Sequence, residues 1–322
     1  MKNYVLNDYD LQAFKILDGF LPSKLFDMHM HLTHLPTAQG DKVDFQLYYK
    51  DMKLQVGNRE LFANAITFPY AEIAKKEEMQ KSVDFIKEQL DLYKNNVGEI
   101  IVLPTDSEED IEKRLIHKNI KGLKPYHCYS KSTPTFNSDI KDFLPESAWE
   151  VANKRKMFIT LHLVKDKSLA DEENLNYIIN MSKKYPDVIL ILAHCARAFA
   201  SWTAFDTVDK LKNLDNVWYD FSGVCECPAM LYIMQKIGID RCLWGTDYPV
   251  SMLAGKAISI ADTFYWIGEN DLKNFSASTP LRSWHVGAEG LMAVRQAFIL
   301  FGGTETDKEK FFYKNAINLL SR

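Results

Sequence analysis

The sequence predicts a (β/α)8 TIM barrel with long loops after its first and eighth strands. Eight short apolar runs recur along the 322 residues, at 25–31, 61–68, 99–104, 120–126, 157–163, 188–194, 216–222 and 241–247. Their starts lie 21 to 38 residues apart, the spacing of a strand plus a crossover helix. Polar side chains stand at the C-terminal ends of several runs, which is where an eight-stranded barrel gathers its reactive groups.

The first run is Leu25-Phe26-Asp27-Met28-His29-Met30-His31. In a strand, side chains at i and i+2 point to one side, so His29 and His31 can aim both imidazoles at one point. A long connection, 32–60, follows. After the second run, 72–95 repeats apolar residues at Val83, Ile86 and Leu90, near the helical period. The third run precedes Ser107-Glu108-Glu109-Asp110, a capping serine with acids in the first turn of a helix. The fourth run carries Lys124, with Tyr126 and His127 at its end. A helix over 147–156 leads to the fifth run, MFITLHL, with His162, and a helix over 173–184 to the sixth, VILILAH, with His194. Helices over 207–213 and 229–237 flank the seventh run, which holds Asp220 and Ser222. The eighth run, RCLWGTD, ends on Asp247, and a second long connection, 248–295, follows it. Several runs are apolar at both parities, as strands covered on both faces are. An open doubly wound sheet is disfavoured. No glycine-rich phosphate loop follows the first strand, and strands 1, 4, 5, 6 and 8 bring their end residues together only if the sheet closes.

Composition sets the outer bounds. With 47% hydrophobic and 25% charged residues the composition is that of a globular protein, and an α/β barrel of this length is routinely one domain, 1–322. A net charge of −4 gives no basic face for nucleic acid. No apolar stretch reaches the roughly 18 residues that span a bilayer. The segment MKNYVLNDYDLQAF lacks the apolar centre of a signal peptide. Five cysteines form no disulfide framework, so reduced thiols in the cytoplasm are expected.

Four of the eight histidines fall at strand ends, together with Asp247. Imidazole nitrogen and carboxylate oxygen suit a divalent metal such as zinc, and a catalytic site keeps one position open for water. Such a metal moves the pKa of its water from about 16 toward 7. Asp247 is placed either to ligate or to take that proton, and His194 to polarise a carbonyl or act as acid and base. Asp27 reads either as an orienting acceptor for a histidine or as an ordinary strand residue. Arg197, three residues past His194, presents a fork that matches a substrate carboxylate or a structural salt bridge. Tyr126 and His127 are candidate substrate contacts, while Asp220 and Ser222 read as orienting groups. Cys225 and Cys227 have no second pair with which to hold a zinc. Trp284 and His285 are candidate lid residues, and His34 and His117 are read as non-catalytic.

The motif D-x-H-x-H at 27–31, ITLH ending at 162, LILAH ending at 194, GTDYP at 245–249 and FFYKNAINLL at 311–320 resemble the amidohydrolase superfamily. The resemblance is to its amidohydrolase-related (amidohydrolase 2) branch of metal-dependent hydrolases, lactonases and nonoxidative decarboxylases. It covers about residues 20–320 and implies that His29, His31, His162 and Asp247 ligate a metal, and that His194 is either an imidazole orienting the ligands or the catalytic imidazole beside Asp247. Zinc, one per chain, is expected. Lys124 falls near the place where binuclear members carry a carboxylated bridging lysine, which would give two metals; otherwise it is a substrate lysine. The implied reaction is hydrolysis, with metal-activated water attacking an ester, lactone or amide carbonyl of a small carboxylate-bearing substrate bound by Tyr126, His127 and Arg197. The alternative is nonoxidative decarboxylation of an unsaturated or aromatic acid on the same site. Barrels of the family it resembles often form dimers, so the resemblance allows a homodimer, which the sequence itself does not mark.

Overall fold

The computed structural model describes residues 6–36, 42–268, 271 and 283–322. Eight parallel strands form one sheet in sequential order. They are β1 (Lys24–Leu32), β2 (Glu60–Thr67), β3 (Val97–Val102), β4 (Ile120–Pro125), β5 (Phe158–Leu161), β6 (Ile189–Leu192), β7 (Val217–Asp220) and β8 (Cys242–Leu243). The sheet closes between β1 and the chain just past β8. Met28 N–H donates to Trp244 O at 2.9 Å, Asp247 N–H to His29 O at 2.7 Å and His31 N–H to Tyr248 O at 2.8 Å. Closure of the barrel itself therefore brings His29 and His31 against Asp247.

Helices Lys76–Leu92, Glu108–Arg114, Glu146–Arg155, Glu172–Lys184 and Cys227–Ile237 fill the connections. Ser107 caps the second of these, its hydroxyl accepting from Asp110 N–H while Asp110 accepts in return from Ser107 N–H. The helix expected over 207–213 is only a 3-10 turn, Val208–Leu211. Thr207 Oγ1 donates to Thr203 O at 2.7 Å and Ala204 O at 3.1 Å, and such a side-chain bond competes with the helical ladder.

Two apolar layers result. A large one lies between the strands and the outer helices. A smaller one fills the barrel interior with Phe26, Met28, Val97, Phe158, Ile191 and Leu243, and the helix Asn315–Leu320 closes it from below with Ala316 and Leu319. Position 122 must be glycine here, because a Cβ would lie 2.3 Å from the Phe158 ring.

β1 contains a bulge. Asp27 pairs with Ala63 and Met30 with Ala65, so Met28 and His29 together oppose one residue of β2. The extra residue switches the inward parity: Phe26 and Met28 enter the apolar layer, and His29 and His31 still face inward above them.

The long connections are partly built. The first contains the helix Phe45–Val56, with 37–41 outside the described residues. The second was expected as one connection over 248–295, but it contains an antiparallel hairpin, β9 (Gly255–Ile260) and β10 (Thr263–Gly268), and the start of the helix Val286–Phe301. Residues 269–270 and 272–282 lie outside the described residues. Among the described residues, no helix is long and apolar enough to cross a membrane.

Candidate metal centre

Alternation along the strands sets the depth of each side chain. On β5, Phe158 sits in the interior layer, Thr160 lies above it, and His162 stands just past the strand end. On β4 the corresponding series is Gly122, Lys124 and Tyr126, and past β8 it is Leu243, Gly245 and Asp247. At the top of these series the rings converge. Centroids are 5.1 Å apart for His29 and His31, 4.9 Å for His29 and His194, and 4.9 Å for His162 and His194. Asp247 Oδ1 lies 3.0 Å from His31 Nε2 and 3.7 Å from His29 Nε2.

Hydrogen bonds assign the ring tautomers. His29 Nδ1 donates to Asp220 Oδ2 at 3.0 Å. Tyr126 gives its hydroxyl proton to Thr67 O at 2.9 Å, so it accepts from His31 Nδ1 at 3.3 Å. His194 Nδ1 donates to Ser222 O at 2.9 Å. All three Nδ1 atoms are thus held by protein acceptors, which leaves each Nε2 lone pair for a ligand. Asp220 is itself fixed, accepting from Ser222 Oγ and, through Oδ1, from His194 N–H at 3.2 Å.

Charges follow from this packing. Burial holds the His29 ring at a pKa of about 4, with the Asp220 charge pulling the other way. Burial also lowers His31, and lowers His162 strongly with help from the His194 charge. For Asp247 burial alone would raise the carboxyl, but the His194 charge and the contact with the His31 ring outweigh it and hold it at about 2. Asp220 is likewise kept below the usual carboxylate range, the His29 charge and hydrogen bond overcoming burial. The resting site therefore sets the neutral rings of His29, His31 and His162 against the ionised carboxylates of Asp220 and Asp247, the donor set of a divalent cation.

The backbone is strained where it presents these groups. His194, Cys195, Ala196 and Arg197 have φ of 56°, 54°, 60° and 57°, a full left-handed turn without a glycine. Each such residue costs about 1–2 kcal/mol. Ser168 Oγ donating to Ala196 O at 2.7 Å and Asp220 accepting from His194 N–H hold the turn in place. Asp247 also has positive φ, 55°. Gly223, at φ 67°, lines the same spot; a Cβ there would sit 3.3 Å from Asp247 Oδ2 and 3.5 Å from His194 Nδ1.

Asp27 is a clamp beneath the centre. Oδ1 accepts from His29 N–H at 3.0 Å and Thr246 N–H at 2.9 Å. Oδ2 accepts from Thr246 Oγ1 at 2.5 Å and Tyr48 OH at 2.9 Å. It ties the β1 bulge to the segment carrying Asp247 and to the helix Phe45–Val56. Burial pushes its carboxyl up to about 7 despite these donors.

Two sets of donor atoms come within 4.8 Å of one another: His29, His31 and Asp247, and His29, His194 and Asp220. In the second set, His29 and His194 already spend their Nδ1 hydrogens on Asp220 and Ser222, so Asp220 is an orienting acceptor there. His162 packs beside His194 but belongs to neither set. Lys124 is buried, its Nζ 5.2 Å from the Tyr126 ring centroid. His127 stands one step further out, 6.1 Å from the His162 ring, with Nδ1 3.2 Å from Thr135 Oγ1. His285 is tied instead to the helix Asp8–Asp18, Nδ1 lying 2.8 Å from Asp10 Oδ2. All five cysteines are free thiols.

A cavity of about 430 Å³ opens above the centre. His162, His194, Arg197 and Asp247 form its polar side; Phe199, Phe264 and Trp266 form much of its apolar side. Arg197 donates to Lys165 O at 3.0 Å and stacks its guanidinium 5.2 Å from the Phe264 ring centroid. This aromatic wall was not foreseen from sequence, although Thr263-Phe264-Tyr265-Trp266-Ile267 after the Ala261-Asp262 turn carries the signal of a hairpin strand.

The amidohydrolase family model matches residues 26–322. No curated protein matches the chain. Among solved structures, the chain is similar in fold to a probable 2-pyrone-4,6-dicarboxylic acid hydrolase from Acinetobacter baumannii with citric acid bound, at 11% identity and TM-score 0.58, covering 92% of this chain and 99% of that one. It is similar to an amidohydrolase from Burkholderia multivorans with bound zinc, at 12% identity and TM-score 0.59, with the same coverage of 92% and 99%. It is similar to a 2,6-dihydroxybenzoate decarboxylase from Rhizobium, at 12% identity and TM-score 0.54, covering 94% and 99%.

Proposed function

The chain belongs to the amidohydrolase family, and on that premise we propose that it is a metal-dependent hydrolase acting on an ester, lactone or amide carbonyl of a small carboxylate-bearing substrate. One observation carries this reading. The free Nε2 atoms of His29 and His31 meet the Asp247 carboxylate at 3.7 and 3.0 Å, at the floor of an open cavity. His29, His31 and Asp247 offer their donor atoms to one divalent ion per chain, zinc by preference, and His162, which packs beside His194, is assigned as the fourth ligand. When bound, that ion supplies Lewis acidity and makes its water a nucleophile near neutral pH.

The chain's own residues do the rest. Asp220 and Tyr126 fix the rings of His29 and His31, so no reorientation is needed on binding. Asp247 accepts the proton of the attacking water and returns it to the leaving group. His194, its Nδ1 committed to Ser222, offers Nε2 to the carbonyl or the leaving group. Lys124 and Arg197 supply the positive charge that a substrate carboxylate or a developing oxyanion requires, with Tyr126 and His127 completing the contacts. The free thiols support a cytoplasmic setting.

The aromatic wall of Phe199, Phe264 and Trp266 favours a second reading, decarboxylation of an unsaturated or aromatic acid, because a flat ring stacks on such a wall. Assay of the zinc-loaded protein against panels of lactones, esters, amides and aromatic acids separates the two. Hydrolysis that is lost on chelation and restored by zinc supports the first reading; carbon dioxide release without hydrolysis replaces it with the second. Full activity of metal-stripped Asp247→Ala protein would overturn both.

A further inference from the structure

The cavity above the centre has walls of two origins. The barrel strands supply its floor, and the chain past β8 supplies one side as the hairpin of β9 and β10. The hairpin is fastened to the segment that follows His194. Trp202 Nε1 donates to Asp262 O at 2.8 Å, and Ser259 Oγ lies 3.0 Å from Phe199 O. Its root is close-packed, since a Cβ at Gly255, where φ is 137°, would lie 2.0 Å from Ile267 O on the opposite strand. This fastening sets ring on ring. Phe264 and Trp266 lie 4.8 and 5.5 Å from Phe199, and Phe199 stacks on the His194 ring at 5.6 Å.

Arg197 stands against that wall. Its guanidinium carbon lies 5.2 Å from the Phe264 ring centroid, and its NH1 donates to Lys165 O at 3.0 Å. Arg59, Arg114 and Arg155 each pair with an acid. Among the described residues no carboxylate pairs with Arg197. A guanidinium stacked by its face keeps its five N–H groups in the plane of the fork. One carbonyl leaves the others for a ligand in the cavity that Arg197 lines. The acid on the same lining, Asp271, is turned into the hairpin, accepting from Gly268 N–H at 2.9 Å and from Tyr265 OH at 3.3 Å. Lys124 is not among the lining residues. Arg197 also ends the left-handed turn that His194 begins, and Ser168 Oγ pins that turn by donating to Ala196 O. Fork and imidazole are thus held at one spacing.

We propose that the hairpin selects the substrate through Arg197: Phe264 is a positioning residue that holds the guanidinium flat, and the free edge of the fork takes a carboxylate that the reaction leaves intact. The inference rests on the functional reading given above and adds where the carboxylate goes. The bond that breaks must lie over His29, His31 and Asp247, so a group held at Arg197 on the side wall is carried through unchanged. Stacking on Phe264 removes the guanidinium's freedom before the anion arrives, which is how a positioned fork binds a carboxylate more tightly than a loose one.

Calorimetric titration of benzoate, and of benzamide as its uncharged isostere, into zinc-loaded and metal-free full-length protein tests this. Wild type should bind benzoate at least about tenfold more tightly than benzamide in both forms. Arg197→Met should abolish that preference. Phe264→Leu, apolar but without a ring, should weaken benzoate about fivefold and leave benzamide within about twofold. Phe264→Tyr should restore benzoate. Unchanged benzamide binding shows that a variant is folded. If Phe264→Leu weakens both probes alike, the ring is only a wall and its positioning role is overturned. A preference for benzoate that survives Arg197→Met, or that needs zinc, puts the carboxylate elsewhere and overturns the proposal. Failure of the functional reading is distinct. It leaves the substrate panels unhydrolysed while metal-free protein still prefers benzoate through Arg197.

Discussion

The barrel interior changes character within a few residues along each strand. At its lower level, Phe26, Met28, Phe158, Ile191 and Leu243 pack on one another and on the helix Asn315–Leu320. At its upper level stand His29, His31, His162, His194 and Asp247, in a bulge, a left-handed turn and a positive-φ loop. The lower level has every property of a core and no chemistry. The upper level has the chemistry, and its geometry is imposed by the clamps Asp27 and Asp220. The contrast teaches that in one strand, two steps of the pleat divide stability from function. The division can be attacked from either level.

The largest expected effect comes from the top. His29→Ala/His31→Ala should take zinc, measured by elemental analysis, from one per chain to background. It should lower kcat/KM on whichever substrate the panels identify by about a thousandfold, near 4 kcal/mol of barrier. The melting temperature of the metal-free variant should stay within a few degrees of wild type. From the bottom, Phe158→Ala should cost about 3–5 kcal/mol in urea unfolding, because the ring is buried over Gly122 and nothing else fills the space. The zinc content of the folded protein should not change. If Phe158→Ala sheds zinc, or the double histidine variant unfolds, the two levels are one cooperative unit and the division fails.

The two levels were unequally legible in the sequence. The eight strands could be read because strands covered on both faces appear as continuous apolar runs. The candidate ligands could be read because each polar residue interrupts such a run at its end. The devices that aim them could not. A bulge at Met28–His29 leaves no compositional trace, since only pairing against Asn64 reveals the extra residue. The turn at 194–197 uses His, Cys, Ala and Arg, with no glycine or asparagine to mark positive φ. Glu99 reads as a lone acid within Gly98-Glu99-Ile100-Ile101-Val102, and its hydrogen-bond partners Asn64 and Thr160 lie 35 and 61 residues away, on β2 and β5. Distant partners of this kind are set by closure of the barrel, which local pattern does not encode.

Asp27 sharpens the comparison, because it is the clamp between the levels. Its folded pKa of about 7 lies above the unfolded value near 4. The stability tied to its proton is therefore fully present below about pH 4 and lost as pH rises through about 7. Asp27→Asn carries no such proton. Relative to wild type, the metal-free variant should be at its worst near pH 5 and should recover by about 2–3 kcal/mol by pH 8. Phe158→Ala, lacking any change in charge, should show a loss that does not vary over the same range. Urea unfolding of all three proteins at both pH values checks this. A constant deficit for Asp27→Asn would mean that the clamp does not titrate in the folded state.

The smallest effect is the most direct measure of strain. Ala196 and Ala152 are both fully buried, yet Ala196 has φ of 60° in the left-handed turn and Ala152 lies within the regular helix Glu146–Arg155. Glycine at either position loses one buried methyl, about 0.8 kcal/mol, and gains freedom in the unfolded chain. At 152 nothing offsets those losses, and the helix adds about 1 kcal/mol against glycine. At 196 the left-handed backbone is free to glycine, which returns about 1–2 kcal/mol. Ala196→Gly should therefore unfold within about 0.5 kcal/mol of wild type, while Ala152→Gly loses roughly 2 kcal/mol. Equal losses would show that the turn presenting His194 and Arg197 stores no strain, and that the upper level is held as comfortably as the lower.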